Sequence, residues 1–244
     1  MKANATDVKN SFGSYLKKCR EEDIYITKNE KIVAVLTAFD NSKDGHMVIN
    51  EGNAAYNYSG KKVTYEEFLQ ISEGSEERYE YIDGEVYLLA SPGMTHQIIH
   101  SNLYGRLLAW FEEKRCRLFS APFDVTLLNE ELNSKNVIQP DLLVTCDHEE
   151  TRNEKDRYMG IPSLVIEIMS PHARGRDMVK KLDVYMKGGV SEYWIVDPQK
   201  RQVLLYHFAD NQPETLMLYN TGDVVKSLHF KDLEIAENDI FKHA

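Results

Sequence analysis

Leu164-Val165-Ile166-Glu167-Ile168-Met169 is the stretch from which the fold can be read. Apolar, rich in Val and Ile and bounded by Pro162 and Pro171, it is too short for a core helix and predicts a strand buried on both faces. Its one charge, Glu167, sits in its interior. An unpaired carboxylate there would cost several kcal/mol, so either a metal ion or a cationic side chain must lie against it.

Two neighbouring stretches have compatible chemistry. Val137–Cys146 (VIQPDLLVTC) is a second apolar, β-branched segment, with Asp141 directly after Pro140 at its mid-point. Two carboxylates on two core strands are the minimum for holding a divalent cation. Downstream, Asp177, Lys181 and Tyr185 recur at i, i+4 and i+8 and so share one face of a helix. Acids on two strands and an amine on a helix are what metal-assisted phosphodiester hydrolysis uses, the acids holding the ion and the amine orienting water or screening charge. A buried Glu167–Lys181 pair without metal would account for the same residues.

Composition bounds these readings. The chain has 244 residues, 42% hydrophobic and 28% charged, enough for one sizeable domain with a small appendage. No apolar run reaches membrane-spanning length and residues 1–12 lack the apolar core of a signal peptide, so a cytoplasmic protein is expected. Cys19, Cys116 and Cys146 are odd in number and widely spaced, and read as ordinary thiols. A net charge of −10 opposes nucleic-acid binding through bulk charge and leaves local patches to do it: Lys114, Arg115 and Arg117, then Arg174, Arg176, Lys180 and Lys181.

Taken in order, the chain begins with helical spacing over Thr6–Cys19, with Thr6 or Asp7 as N-cap, followed by a hairpin of Asp23–Thr27 and Lys31–Thr37. This arrangement, with the phrase ITKNEKIVAVL, resembles the Phd/YefM type of antitoxin N-terminal module, a small dimerising DNA-binding domain. The resemblance implies a module over residues 1–45, a homodimer and a toxin partner. Residues 46–60, polar and rich in Asn and Gly, read as a linker to a domain over 61–244. There, Thr64 and Glu67 form a capping box, and Asp83-Gly84 predicts a tight hairpin with Glu80 and Glu85 on its arms. Apolar residues from Ile98 to Phe111, Leu108 among them, predict a core helix. His96 and His100 stand one turn apart on it, a metal-ligand spacing with no third ligand, and are read as a polar helix face. Pro122–Leu128 reads as a strand. A helix over Asp177–Lys187 ends at Gly188-Gly189, Tyr193–Val196 is a buried strand, and Gln202–Phe208, Thr215–Tyr219 and Val224–Phe230 predict a terminal meander.

The succession RYEYIDGEVYLLASPGMTHQ, APFDVTLL, VIQPDLLVTCD, PSLVIEIMSP, DMVKKLDVYMKGGVSEYWIVDP and HFKDLEIAENDIF is similar to the Uma-type restriction endonucleases of the PD-(D/E)XK nuclease superfamily. The resemblance runs from about residue 61 onward. It implies an α/β (α+β) fold with a restriction-endonuclease-like mixed sheet core flanked by helices, to which the helix-hairpin module is attached. It also implies a Mg²⁺- or Mn²⁺-dependent endonuclease acting on DNA, in which Asp141 and Glu167 hold the metal. Lys181 would be a migrated active-site lysine, since Met169 stands where a lysine would complete the ExK motif, and Glu80 the accessory acid. The competing expectation is a catalytically degenerate DNA- or toxin-binding regulator on a nuclease scaffold.

Overall fold

The computed structural model describes residues 1–28, 31–36, 62–129, 134–154, 156–170 and 180–244. The first part contains β1 (Lys2–Asn4), α1 (Ala5–Asn10), α2 (Phe12–Lys18), β2 (Ile24–Lys28) and β3 (Lys31–Leu36). Then come α3 (Tyr65–Glu73), β4 (Tyr79–Ile82), β5 (Glu85–Leu88), α4 (Met94–Phe111), β6 (Arg117–Ser120), β7 (Val125–Asn129) and β8 (Ser134–Ile138). After β9 (Leu142–Thr145) and β10 (Leu164–Ile168) follow α5 (Leu182–Lys187), β11 (Glu192–Asp197), β12 (Gln202–Ala209) and β13 (Gln212–Tyr219). The chain closes with β14 (Val224–Lys226), β15 (Glu234–Ala236) and α6 (Glu237–Ile240).

The strand expected over 164–169 forms as β10 and is buried along its length. It lies inside a six-stranded mixed sheet of order β13-β12-β11-β10-β9-β6, parallel to β11 and antiparallel to β9. Side chains alternate across it. Leu164, Ile166 and Ile168 meet Ile99, Leu103, Leu107 and Phe111 of α4, while Val165 and Met169 face Tyr185 and Tyr193 on the other side. Parallel neighbours need a crossover, and α5 lies in it, ending at Gly188 with Gly189 at φ +84°, a conformation that glycine accepts without strain.

A second sheet, β5-β4-β8-β7, stands beside the first. Its β4–β5 turn is built as expected, Asp83 and Gly84 both holding positive φ, and the Asp83 N–H donates to Asn136 Oδ1 of β8 at 2.7 Å. The capping box of Thr64 and Glu67 forms and starts α3, whose Phe68 packs on Tyr81.

Several expectations are corrected. Val137–Cys146 is not one strand: Val137 and Ile138 end β8 in the second sheet, Pro140 cannot donate to a ladder, and the chain crosses into the first sheet as β9. Asp141 therefore stands at a corner. Pro122–Leu128 gives only β7, and β6, unforeseen, precedes it. Leu108 is 47% exposed, because the helix buries the i+4 row from Ile99 to Phe111 instead. The N-terminal helix breaks at Ser11 into α1 and α2, and Asn4, at the end of the unforeseen β1, supplies the N-cap to Thr6 N–H. The meander stops at β13. Beyond β14 the N–H groups of Leu228 and His229 donate to the buried carboxylate of Glu192, which draws the chain away to pair as β14–β15. Cys116 and Cys146 are not thiols but a disulfide. They lie one step beyond the Arg117–Thr145 pair of β6 and β9, a neighbourhood that their separation of 30 residues does not reveal. Cys19 alone is free, and buried. The linker 46–60, Asp177, Arg174 and Arg176 fall outside the described residues.

Residues 1–36 do not stand apart. Their sheet, β1-β2-β3, places Tyr25 and Ile32 in one core with Leu204, Tyr206 and Phe208 of β12. Asp23, buried, pairs with Lys200 at 2.5 Å. Tyr25→Ala should consequently cost about 3 kcal/mol of global stability. Urea unfolding followed by far-UV circular dichroism should show one shifted transition; an early, separate transition would mean that the hairpin folds independently.

Candidate active site

The chemistry gathers where the two sheets meet. Glu80 comes from β4, Glu167 from β10, Lys181 from the turn entering α5, and Asp141 from the corner between β8 and β9. Lys181 Nζ lies 2.7 Å from Glu167 Oε1 and 2.8 Å from Glu80 Oε1, with both acids and the lysine all but closed to solvent. The cationic partner demanded by a buried Glu167 is thus Lys181. Tyr185, one turn further on, donates its hydroxyl to the same Glu167 oxygen at 2.6 Å. Burial, and next the charge of Glu167, push the Tyr185 phenol well above its ordinary value near 10, so it remains a donor. The Gln139 N–H, just before Pro140, donates to Glu80 Oε1 at 3.1 Å.

Asp141 is one step past the Ile166–Leu142 pair of β10 and β9, which places it beside Glu167 on the neighbouring strand. Its Oδ2 accepts the Ile168 N–H at 2.7 Å and lies 3.1 Å from His96 Nε2. His100 Nε2 lies 3.0 Å from Ser120 Oγ and 3.3 Å from the Asp141 carbonyl. The two histidines read as a polar helix face are therefore turned onto Asp141. Their one-turn spacing was the available signal, but its partner stands 41 to 45 residues away.

Lys180 behaves differently from Lys181. It is 45% exposed and reaches Glu85 Oε2 and the Tyr87 hydroxyl on β5. The hydrogen bond from Tyr87 holds the Glu85 carboxyl below its usual range. Consecutive helical residues point about 100° apart, which separates the two lysines.

The donor set fits a hard divalent cation. It offers the oxygens of three carboxyl groups beside one amine, and no thiolate. Glu80 Oε2 is buried and meets no hydrogen-bond partner among the described residues. No three His, Cys, Asp or Glu side chains among the described residues converge as a finished cage.

Residues 65–237 match a family model described as "Uma2: Putative restriction endonuclease". Two uncharacterised proteins of Synechocystis sp. are similar: one is 25% identical over 66% of this chain and 83% of its own, the other 27% over 56% and 76%. Among solved structures, one described as a putative nuclease belonging to DUF820, from Anabaena variabilis, superposes with a TM-score of 0.60 at 23% identity. It covers 73% of this chain and 97% of that one, and shares the restriction-endonuclease-like fold. No helix among the described residues is long and apolar enough to cross a membrane.

Tyr185→Phe should lower stability by about 1–3 kcal/mol, the cost of leaving a buried acceptor short of a donor. The sign of its pH dependence follows from the raised phenol. Unfolded tyrosine ionises near pH 10 while the folded one does not, so the contribution of Tyr185 is complete below about pH 10 and is lost above it. Urea midpoints of wild type and Tyr185→Phe should thus differ most at pH 7–9 and converge as pH rises beyond 10.

Proposed function

Because the chain belongs to the Uma2 restriction-endonuclease family, we propose that it is a metal-dependent endonuclease hydrolysing phosphodiester bonds of DNA, with Asp141 and Glu167 holding Mg²⁺ or Mn²⁺. The observation that supports this reading is the meeting of Glu80, Glu167 and Lys181 where two sheets and a helix join, with Asp141 beside Glu167 on the neighbouring strand. When bound, the cation would polarise a phosphate oxygen and neutralise part of its charge. The chain's own residues do the rest. Lys181 orients the attacking water and screens the charge developing on the phosphate. Glu80 fixes Lys181 from the far side, and Tyr185 locks the rotamer of Glu167. Lys180, tied to Glu85 and Tyr87, contributes only to the local field.

The division at residues 45 and 61 belongs to the same reading, and the family match beginning at residue 65 supports it. Residues 1–45 are an antitoxin-like module, whose described Asp23, Tyr25 and Ile32 pack on the nuclease part in cis. A toxin partner or a second copy would have to use its outer surface, where Phe12 and Leu16 of α2 are exposed.

Cleavage of single- and double-stranded DNA, with Mg²⁺ or Mn²⁺ and with chelator, tests the proposal. Wild type should cut only with metal, and Glu167→Gln, Asp141→Asn and Lys181→Met should each lose about a hundredfold or more, the scale seen when a charge-stabilising group is removed. Lys180→Ala should stay within about threefold, as expected of an exposed charge. A wild type inactive on both substrates with both metals, or a fully active Glu167→Gln, would remove the enzymatic reading in favour of a regulatory scaffold.

A further inference from the structure

We infer that His96 is a positioning residue that aims the carboxylate of Asp141 at the cation, an inference resting on the metal-dependent reading above. It begins with an asymmetry between the two oxygens of Asp141. Oδ2 takes two donors, the Ile168 N–H at 2.7 Å and His96 Nε2 at 3.1 Å. Oδ1 meets no partner among the described residues, and the side chain keeps 19% of its surface open.

A carboxylate can only accept, so His96 donates through Nε2–H. Its Nδ1 is buried and meets no acceptor among the described residues, so nothing there competes for the proton. One donor would fix the position of Oδ2 and leave the carboxylate free to swing about it. A second donor from another direction removes that freedom, and Oδ1 then points one way only. Orientation of this kind, from a group that never touches the ion, commonly accounts for about 10–100-fold in metal affinity or activity.

The supports of His96 and of the Asp141 backbone are separate. His96 stands in the first turn of α4, whose Ile99, Leu103 and Leu107 are anchored in the main core. The Asp141 carbonyl is held independently, by the Ala121 N–H at 3.1 Å and by His100 at 3.3 Å. Loss of His96 therefore frees the carboxylate without freeing the chain.

Calorimetric titration of the full chain with Mn²⁺ tests this on wild type, Asp141→Asn and three variants of His96. Gln carries an amide donor near the position of Nε2, Asn carries one too short to reach Oδ2, and Leu carries none. His96→Leu and His96→Asn should bind Mn²⁺ about 10–100-fold more weakly, while His96→Gln should stay within about threefold of wild type. In cleavage assays the two weak variants should keep the wild-type KM for DNA, lose kcat at low Mn²⁺ and recover it as Mn²⁺ is raised. A wild-type affinity in His96→Asn, or a His96→Gln as weak as His96→Leu, would overturn the inference. Should His96→Leu unfold, the Asn and Gln pair still decides between the outcomes. If wild type binds no Mn²⁺, or binds it equally without Asp141, the metal reading fails and this role with it. If binding needs Asp141 but is indifferent to His96, the positioning role alone is wrong.

Discussion

The structure depends on one ammonium that is all but closed to bulk solvent. Lys181 sits between Glu80 and Glu167, and neither acid could remain ionised at such depth without it. The two acids belong to different sheets and the amine to the crossover between β10 and β11. The three-way contact therefore does more than neutralise charge: it specifies how the sheets meet. Apolar packing tolerates small slips, since area is nearly unchanged when surfaces slide, whereas charge-assisted hydrogen bonds at 2.7–2.8 Å do not. A buried ionic group of this kind is seldom the most stabilising choice at its position, and its retention is explained by geometry and chemistry more than by stability.

Asp141 is governed by different physics. It lies nearer the surface, and the Ile168 N–H of β10 and the His96 imidazole of α4 define its orientation. The site thus combines a deep half held by charge with a shallower half held by directional hydrogen bonds. The first half resists solvent, and the second leaves an oxygen towards it.

Much of this was legible in the chain because the signals were local. The apolar run around Glu167, the Asp83-Gly84 turn, the Thr64–Glu67 box and the Gly189 stop each rest on a few adjacent residues, and each formed as expected. A requirement could also be read: a buried Glu167 needs a counter-charge, and Lys181 on the face shared with Tyr185 supplies it. What escaped depends on distant pairings. The disulfide follows from the β6–β9 register, the role of His96 from a residue 45 positions later, and the shortened β14 from the pull of Glu192. The split of Val137–Cys146 had a local sign, Pro140, but apolar residues on both sides outweighed it. The packing of residues 1–36 against β12 was illegible for another reason, since an amphipathic hairpin does not say which surface its apolar face will meet.

The corner at Pro140 has a further consequence. Three residues, Gln139 to Asp141, join the end of β8 to the start of β9. Fully extended they span roughly 10 Å. Gln139 grips Glu80 through its backbone at one end of this tether, and Asp141 offers its carboxylate at the other. The gap between two acids of the site is thereby written in the covalent length of the main chain, not in side-chain packing. Core residues around the corner can drift in size over evolutionary time without altering that gap. One inserted or deleted residue within the tether would change it at once, and no repacking of neighbours could restore it.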